Sequence, residues 1–278
     1  MKKIFFLLTA IAFFSCNKNT TYEVTGVIKE IHSDKSKLLI DHDVIPGFME
    51  KMVMFFKIHK SVDMTKFNLD DSIKFDLVIT EKSHYSLNFN IIGKSSNAAK
   101  DDFLLSENEI YREYKVGEKL NDVNFSDTNN KLFNLKNNTT EKFTLISYIF
   151  SRCPMPDMCP AIISHNQYLA EIYPDINFII LSFDYLFDTP KELSDRYGNI
   201  EKKYSNIHFL SSTNHYNDLM LLTKQSNLRF WGVEEDNIGH TMRTLLVDND
   251  LKILKIYDGL DWKPGEVKID IKNLLSVY

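Results

Sequence analysis

Between Tyr22 and Gly93 the apolar residues fall in short runs of strand length, and no window holds the 3.6-residue period of a helix. The runs Tyr22–Ile31, Lys37–Ile40, Met52–Ile58, Ser72–Ile79 and Tyr85–Ile92 predict five strands, with turns at Ser33-Asp34 and Pro46-Gly47. Five short strands in so little chain predict a small barrel, closed or partly closed. Residues 94–113 then turn polar and charged, which predicts a linker. Beyond it the pattern changes. Thr144–Phe150 and Asn177–Phe183 are apolar, β-branched and aromatic runs suited to buried strands, and Thr244–Val247 and Ile253–Ile256 predict a later strand pair. Between them, Pro160–Tyr173 places Ile162, Leu169, Ile172 and Tyr173 on one helical face. Thr189-Pro190-Lys191-Glu192 combines capping-box spacing with proline at the first helical position. Strands alternating with helices over residues 114–278 predict an α/β domain around a central sheet.

The first residues follow a different logic. Lys2 and Lys3 precede an apolar stretch, Ile4 to Phe14, that is too short to span a bilayer and suits a signal peptide. It ends in Phe13-Phe14-Ser15-Cys16, which resembles the lipobox of bacterial lipoproteins. The expectation is a signal over residues 1–15, a lipid on Cys16 and a polar tether over residues 16–21, with ordinary cleavage nearby as the alternative. Both domains (residues 22–93 and 114–278) are then expected outside the cytoplasm, in the cell envelope and in the periplasm of a Gram-negative bacterium. A net charge of −5 and the lack of any basic patch with interleaved aromatics exclude nucleic acid as a main partner.

With Cys16 assigned to the lipid, Cys153 and Cys159 remain, five residues apart. An exported compartment allows them to be a bridge, a redox pair or metal ligands. Their loop runs from a buried strand to a helix beginning near Pro160, and Pro154, Pro156 and Pro160 stiffen it. A helix N-terminus favours a thiolate, so Cys159 is expected to carry the reactive form. A static bridge across so short a loop would add little stability. Met155 and Met158 either pack the loop or lend a thioether. His240, in Gly239-His240-Thr241-Met242-Arg243, precedes the strand Thr244–Val247. In a thioredoxin-type sheet that loop lies opposite the cysteine corner, where thiol-disulfide oxidoreductases of that fold carry a cis-proline. No proline occurs between Pro190 and Pro264 here. Two thiolates and an imidazole suit copper, and also zinc.

The second cluster lies on the third predicted strand. Met52 and Met54 project from one face, about 7 Å apart along the strand. Two thioethers near an imidazole prefer Cu(I) or Ag(I) to Zn(II), although Met-x-Met alone also suits a barrel interior. His32, His59 and His84 lack such spacing and read as solvated.

Two family resemblances add to this reading. Residues 115–278 resemble the Sco/SenC copper chaperones through Phe150-Ser151-Arg152-Cys153-Pro154, Leu181-Ser182-Phe183-Asp184, Phe187-Asp188-Thr189-Pro190, His240 and Leu246-Val247-Asp248. That resemblance implies a thioredoxin-like fold, copper on Cys153, Cys159 and His240, and a role in assembling the binuclear copper centre of cytochrome c oxidase. The family's usual loop has three residues between the cysteines, and this one has five. Residues 22–93 resemble the CusF-type periplasmic domain, an OB-like five-stranded barrel, which implies Cu(I) on His42, Met52 and Met54. Met49 stands where that family's archetype has a capping tryptophan, as a third thioether or a plain cover.

The expected function is therefore a membrane-tethered copper chaperone binding up to two coppers, as Cu(I), with Cu(II) an option at the Cys/Cys/His site. Expected partners are a copper-receiving client such as cytochrome c oxidase subunit II and a protein thiol reductant. The alternatives are a thiol-disulfide reductase using Cys153 and Cys159, and a copper-buffering or resistance protein.

Overall fold

Alternating buried and exposed positions give the N-terminal unit its five strands: β1 (Thr20–His32), β2 (Lys37–His42), β3 (Met52–Lys57), β4 (Asp71–Ile79) and β5 (His84–Lys94). In this computed structural model, which describes residues 19–49, 51–95, 114–139, 141–234, 238–259 and 262–277, each overlaps a run predicted from sequence. The predicted signal peptide, Cys16 and nearly all of the linker lie outside the described residues. The strands form one antiparallel sheet ordered β3-β2-β1-β4-β5. Its edges approach at a bridge between Ile58, just past β3, and Ser86 of β5. Apolar side chains from one face fill the core: Phe75 stacks on Phe89 and meets Phe56 edge-on, with centroids 4.7 and 5.0 Å apart. Gly26 of β1 faces His42 of β2. A Cβ there would lie 2.6 Å from the Asp41 carbonyl oxygen and 2.8 Å from the His42 Cα, so the close approach of the two strands requires glycine.

The second unit opens with a short hairpin, β6 (Asn124–Asp127) and β7 (Leu132–Asn134), and one helical turn, α1 (Leu135–Asn138). There follow β8 (Phe143–Ile149), α2 (Cys159–Ile172), β9 (Asn177–Ser182), α3 (Pro190–Lys203), β10 (Ile207–Ser211) and α4 (Tyr216–Ser226). A two-stranded ribbon, β11 (Phe230–Trp231) and β12 (Gly239–His240), precedes β13 (Arg243–Asp248), β14 (Ile253–Asp258) and α5 (Pro264–Val277). The seven-stranded sheet is ordered β14-β13-β8-β9-β10-β6-β7. Its central strands β8, β9 and β10 are parallel, and β8 and β9 are buried at every position, as continuous apolar runs require. Helix α3 begins as predicted: Thr189 caps it by accepting the Glu192 N–H at 3.2 Å, and Pro190 follows. Among the described residues, no helix is long and apolar enough to cross a membrane.

Candidate metal centre

Strand register positions the first set of donors. His42 and Met52 are direct cross-strand partners, and Met54 faces Ile40 two positions along, so all lie on one face of the β2–β3 pair. His42 is fully buried. Its Nδ1 sits 2.7 Å from the carbonyl oxygen of Asp43, which places the proton on Nδ1 and leaves the lone pair on Nε2. That Nε2 is buried with no hydrogen-bond partner. Burial pushes the His42 pKa down, against the opposing pull of the Asp43 carbonyl, so the ring is neutral. An unpartnered imidazole nitrogen beside two thioethers fits a soft monovalent metal. Met49 is buried as well and is held by a bridge to Ile45.

The second set is carried by the loop between β8 and α2. Buried Asp188 anchors its start, accepting the Ser151 N–H at 2.7 Å together with the hydroxyls of Ser151 and Ser182. Burial raises the Asp188 carboxyl, and these three donors pull it back. Arg152 pairs with fully buried Asp184 at 2.7 Å and lies over the Phe187 ring. Cys153 is half-buried, Cys159 is buried, and both are free thiols. The expectation for Cys159 is corrected. Although it is the first residue of α2, burial pushes its thiol well above the ordinary value, and the adjacent Cys153 adds to the effect. The thiol held low is Cys153, through its interaction first with the Cys159 side chain and then, against burial, with the backbone of Cys159 and Met155. The helix N-terminus does favour a thiolate, but that of the neighbouring residue.

His240 lies on β12, and β13, immediately after it, pairs with β8. His240 copies the arrangement of His42: its Nδ1 is 2.9 Å from the carbonyl of the next residue, Thr241. Phe150 and Phe183 flank the ring, and burial pushes its pKa down to about 4 against that hydrogen bond. Gly239 is held under the Trp231 indole so closely that a Cβ would lie 2.3 Å from the ring. That contact fixes the ribbon carrying His240.

The two sets meet. Met49, Met52 and Met54 line the same gap of about 10 Å³ as Cys153, Met158 and His240. Met155 also lines it, whereas Cys159 sits behind Cys153 and His42 lies beside Met52. Among the described residues, no three His, Cys, Asp or Glu side chains form a group able to hold a metal ion, and of the expected Cys153, Cys159 and His240 set only Cys153 and His240 line the gap. Open clefts of about 330 and 320 Å³ flank the gap, one past Met52 and Pro154 and the other past Met158 and Trp231.

A further group was missed in the sequence. His84 is buried rather than solvated, and its Nδ1 lies 2.5 Å from one carboxylate oxygen of Asp157, in the cysteine loop. Lys57, at the end of β3, donates to the other oxygen at 2.5 Å. Burial raises the Asp157 carboxyl, but His84 and then Lys57 outweigh it and hold it at about 2. The available signal was a carboxylate set between Met155 and Met158, in the apolar second half of the cysteine loop. By contrast, His32 bonds Glu30 and His59 bonds Ser61 at the surface.

Residues 21–87 match the family of the copper binding periplasmic protein CusF. The second unit is similar to a SCO1/SenC family lipoprotein from Bacillus anthracis str. Ames, at 20% identity and a TM-score of 0.51, over 59% of this chain and 99% of that one. At that identity the likeness is one of fold, and the fold is thioredoxin-like. Other similar structures are Arabidopsis thaliana ScoI with copper bound, at 14% identity, 58% and 100% coverage and a TM-score of 0.47, and yeast Sco1 with copper bound, at 17%, 59%, 96% and 0.45. No curated protein matches the chain.

Proposed function

We propose that this chain is a membrane-anchored, extracytoplasmic copper chaperone that takes up Cu(I) and passes it on during cytochrome c oxidase assembly. The observation that carries the reading is the gap lined by Met52 and Met54 of β3 together with Cys153 and His240. Cu(I) favours such soft donors. Cargo must also leave again, which suits neutral thioethers and imidazoles backed by a single low-pKa thiol. Support comes from the match of residues 21–87 to a copper binding periplasmic family and from the Sco/SenC motifs around Cys153, Asp188 and His240. In this reading Cys153 and His240 ligate copper with Met52 and Met54, Cys159 backs Cys153, His42 stands beside Met52 as a reserve donor, and Met49 covers. Closure of the first sheet into an OB-like barrel, domain limits at 22–93 and 114–278, the lipid on Cys16, a Gram-negative periplasm, and subunit II and a thiol reductant as partners belong to the same proposal.

Each side chain has a distinct task. Asp188 and Ser151 hold the loop, Asp43 and Thr241 fix the tautomers of the two histidines, and Cys159 supports the Cys153 thiolate. The test is anaerobic Cu(I) titration of the reduced full chain in detergent, read by native mass spectrometry, followed by transfer to the soluble copper domain of cytochrome c oxidase subunit II. Retention against a competing chelator, followed by transfer, is expected. A chain that retains no Cu(I), or whose uptake survives combined Cys153→Ser and Met52→Leu/Met54→Leu replacement, overturns the reading.

One observation favours a second reading. Two free thiols in contact, one held low and one raised by burial, form a nucleophile and resolving pair of the kind used by thiol-disulfide reductases. Reduction of a client disulfide by the copper-free chain, abolished by Cys153→Ser, would favour it.

A further inference from the structure

The two sheets are tied together at the site itself. Asp157 lies between the two cysteines, and both of its carboxylate oxygens are taken by the N-terminal unit. Lys57 stands three positions beyond Met54 on β3, and His84 opens β5. The backbone N–H of His84 also points at the carboxylate, at 3.4 Å. Asp157 is 9% exposed and the His84 side chain 0%, so that pair is enclosed, while the Lys57 side chain, 34% exposed, closes it from the solvent side. It clamps the strand that carries the thioethers onto the loop that carries Cys153.

The gap under this clamp is lined from both sides, and its volume of about 10 Å³ is the room of about one water molecule. There is space for one ion between the units, not for two independent ones. His240 and Cys153 line it from one side, and Met52 and Met54 from the other. Neither unit alone encloses it.

We propose that the two units hold one Cu(I) jointly, in a single site formed by Met52 and Met54 of β3 with Cys153 and His240, and that Asp157 is the positioning residue that closes it. This rests on the copper reading above and replaces the expected pair of separate sites with a shared one. The shared site makes each unit's donors depend on the other unit's presence. Binding through two linked halves strengthens the whole beyond either half, and undocking returns each half to its own weaker affinity.

The test uses the reduced full chain in detergent, titrated anaerobically with Cu(I) against a chromophoric chelator, with native mass spectrometry counting the metal. One tightly held copper per chain is expected. Met54→Leu and Cys153→Ser should each weaken that same copper by about tenfold or more, with a double variant losing less than the sum of the two. Asp157→Asn should weaken it by about tenfold while leaving every ligand in place. Lys57→Gln, a milder cut of the same clamp, should do so to a lesser degree. If Asp157→Asn only lowers the Tm and leaves copper affinity unchanged, its role is structural and the positioning claim falls. Two coppers that respond independently, one to Met54→Leu and the other to Cys153→Ser, overturn the shared site while the chaperone reading stands. A wild-type chain that retains no copper overturns both.

Discussion

The two units present their donors by opposite means. In the N-terminal sheet, register does the work: His42 faces Met52 across a strand pair, and the donors carry no titratable charge beyond one neutral imidazole. In the second unit the donors sit on a loop and a two-stranded ribbon, which the backbone alone does not order. Hydrogen bonds to Asp188 and the Trp231–Gly239 contact hold them instead. A strand-borne site is as stable as its sheet, whereas a loop-borne site is as stable as its ties.

The largest effect tests the ties. Asp188→Ala strips the partner from the Ser151 N–H and two buried hydroxyls, and should cost about 3 kcal/mol of unfolding free energy in denaturant titration. A loss below 1 kcal/mol, taken as about the cost of one ordinary hydrogen bond, would show that the loop orders itself. The matching cut in the first unit is Gly26→Ala. Its Cβ meets the backbone of Asp41 and His42 as well as the Ile40 side chain, and the backbone cannot step aside, so a cost of about 2 kcal/mol is expected. An unperturbed melt would show that β1 and β2 can separate freely at His42.

Next comes pH. The unfolded chain takes up a proton at residue 240 below the ordinary value of 6.5, whereas the folded chain refuses it until about pH 4. The unfolded state therefore binds more protons in that window, and stability falls as pH drops from 6.5 to about 4. His240→Gln should reduce this decline in Tm against pH, leaving the shares of His42, His165 and His208, which burial shifts in the same direction. Asp157 acts in a separate window, since its support is lost only as pH falls toward about 2. The smallest effect is chemical. Brief treatment of the metal-free chain with iodoacetamide, read by peptide mass, should label Cys153 and spare Cys159. Equal labelling would show that the two thiols are not differentiated.

The strands were readable where burial leaves a one-dimensional trace. All five strands of the first sheet, together with β8, β9, β13 and β14, follow apolar runs, and Thr189 announced α3 through its cap. The ribbon β11–β12 left no such trace, because two-residue strands carry no period. His84 was misread because its partner Asp157 lies 73 residues away on the other unit. Cys159 was misread because a helix start is visible in sequence but depth of burial is not, and here burial outweighs the dipole.

The unpartnered Nε2 of His42 has a thermodynamic consequence. In the metal-free chain that nitrogen forgoes the hydrogen bonds it makes with water when unfolded, a cost of about 1–3 kcal/mol. A ligand that fills the vacant lone pair removes that cost along with forming its own bond. A metal that took this lone pair would couple its binding to folding through one atom.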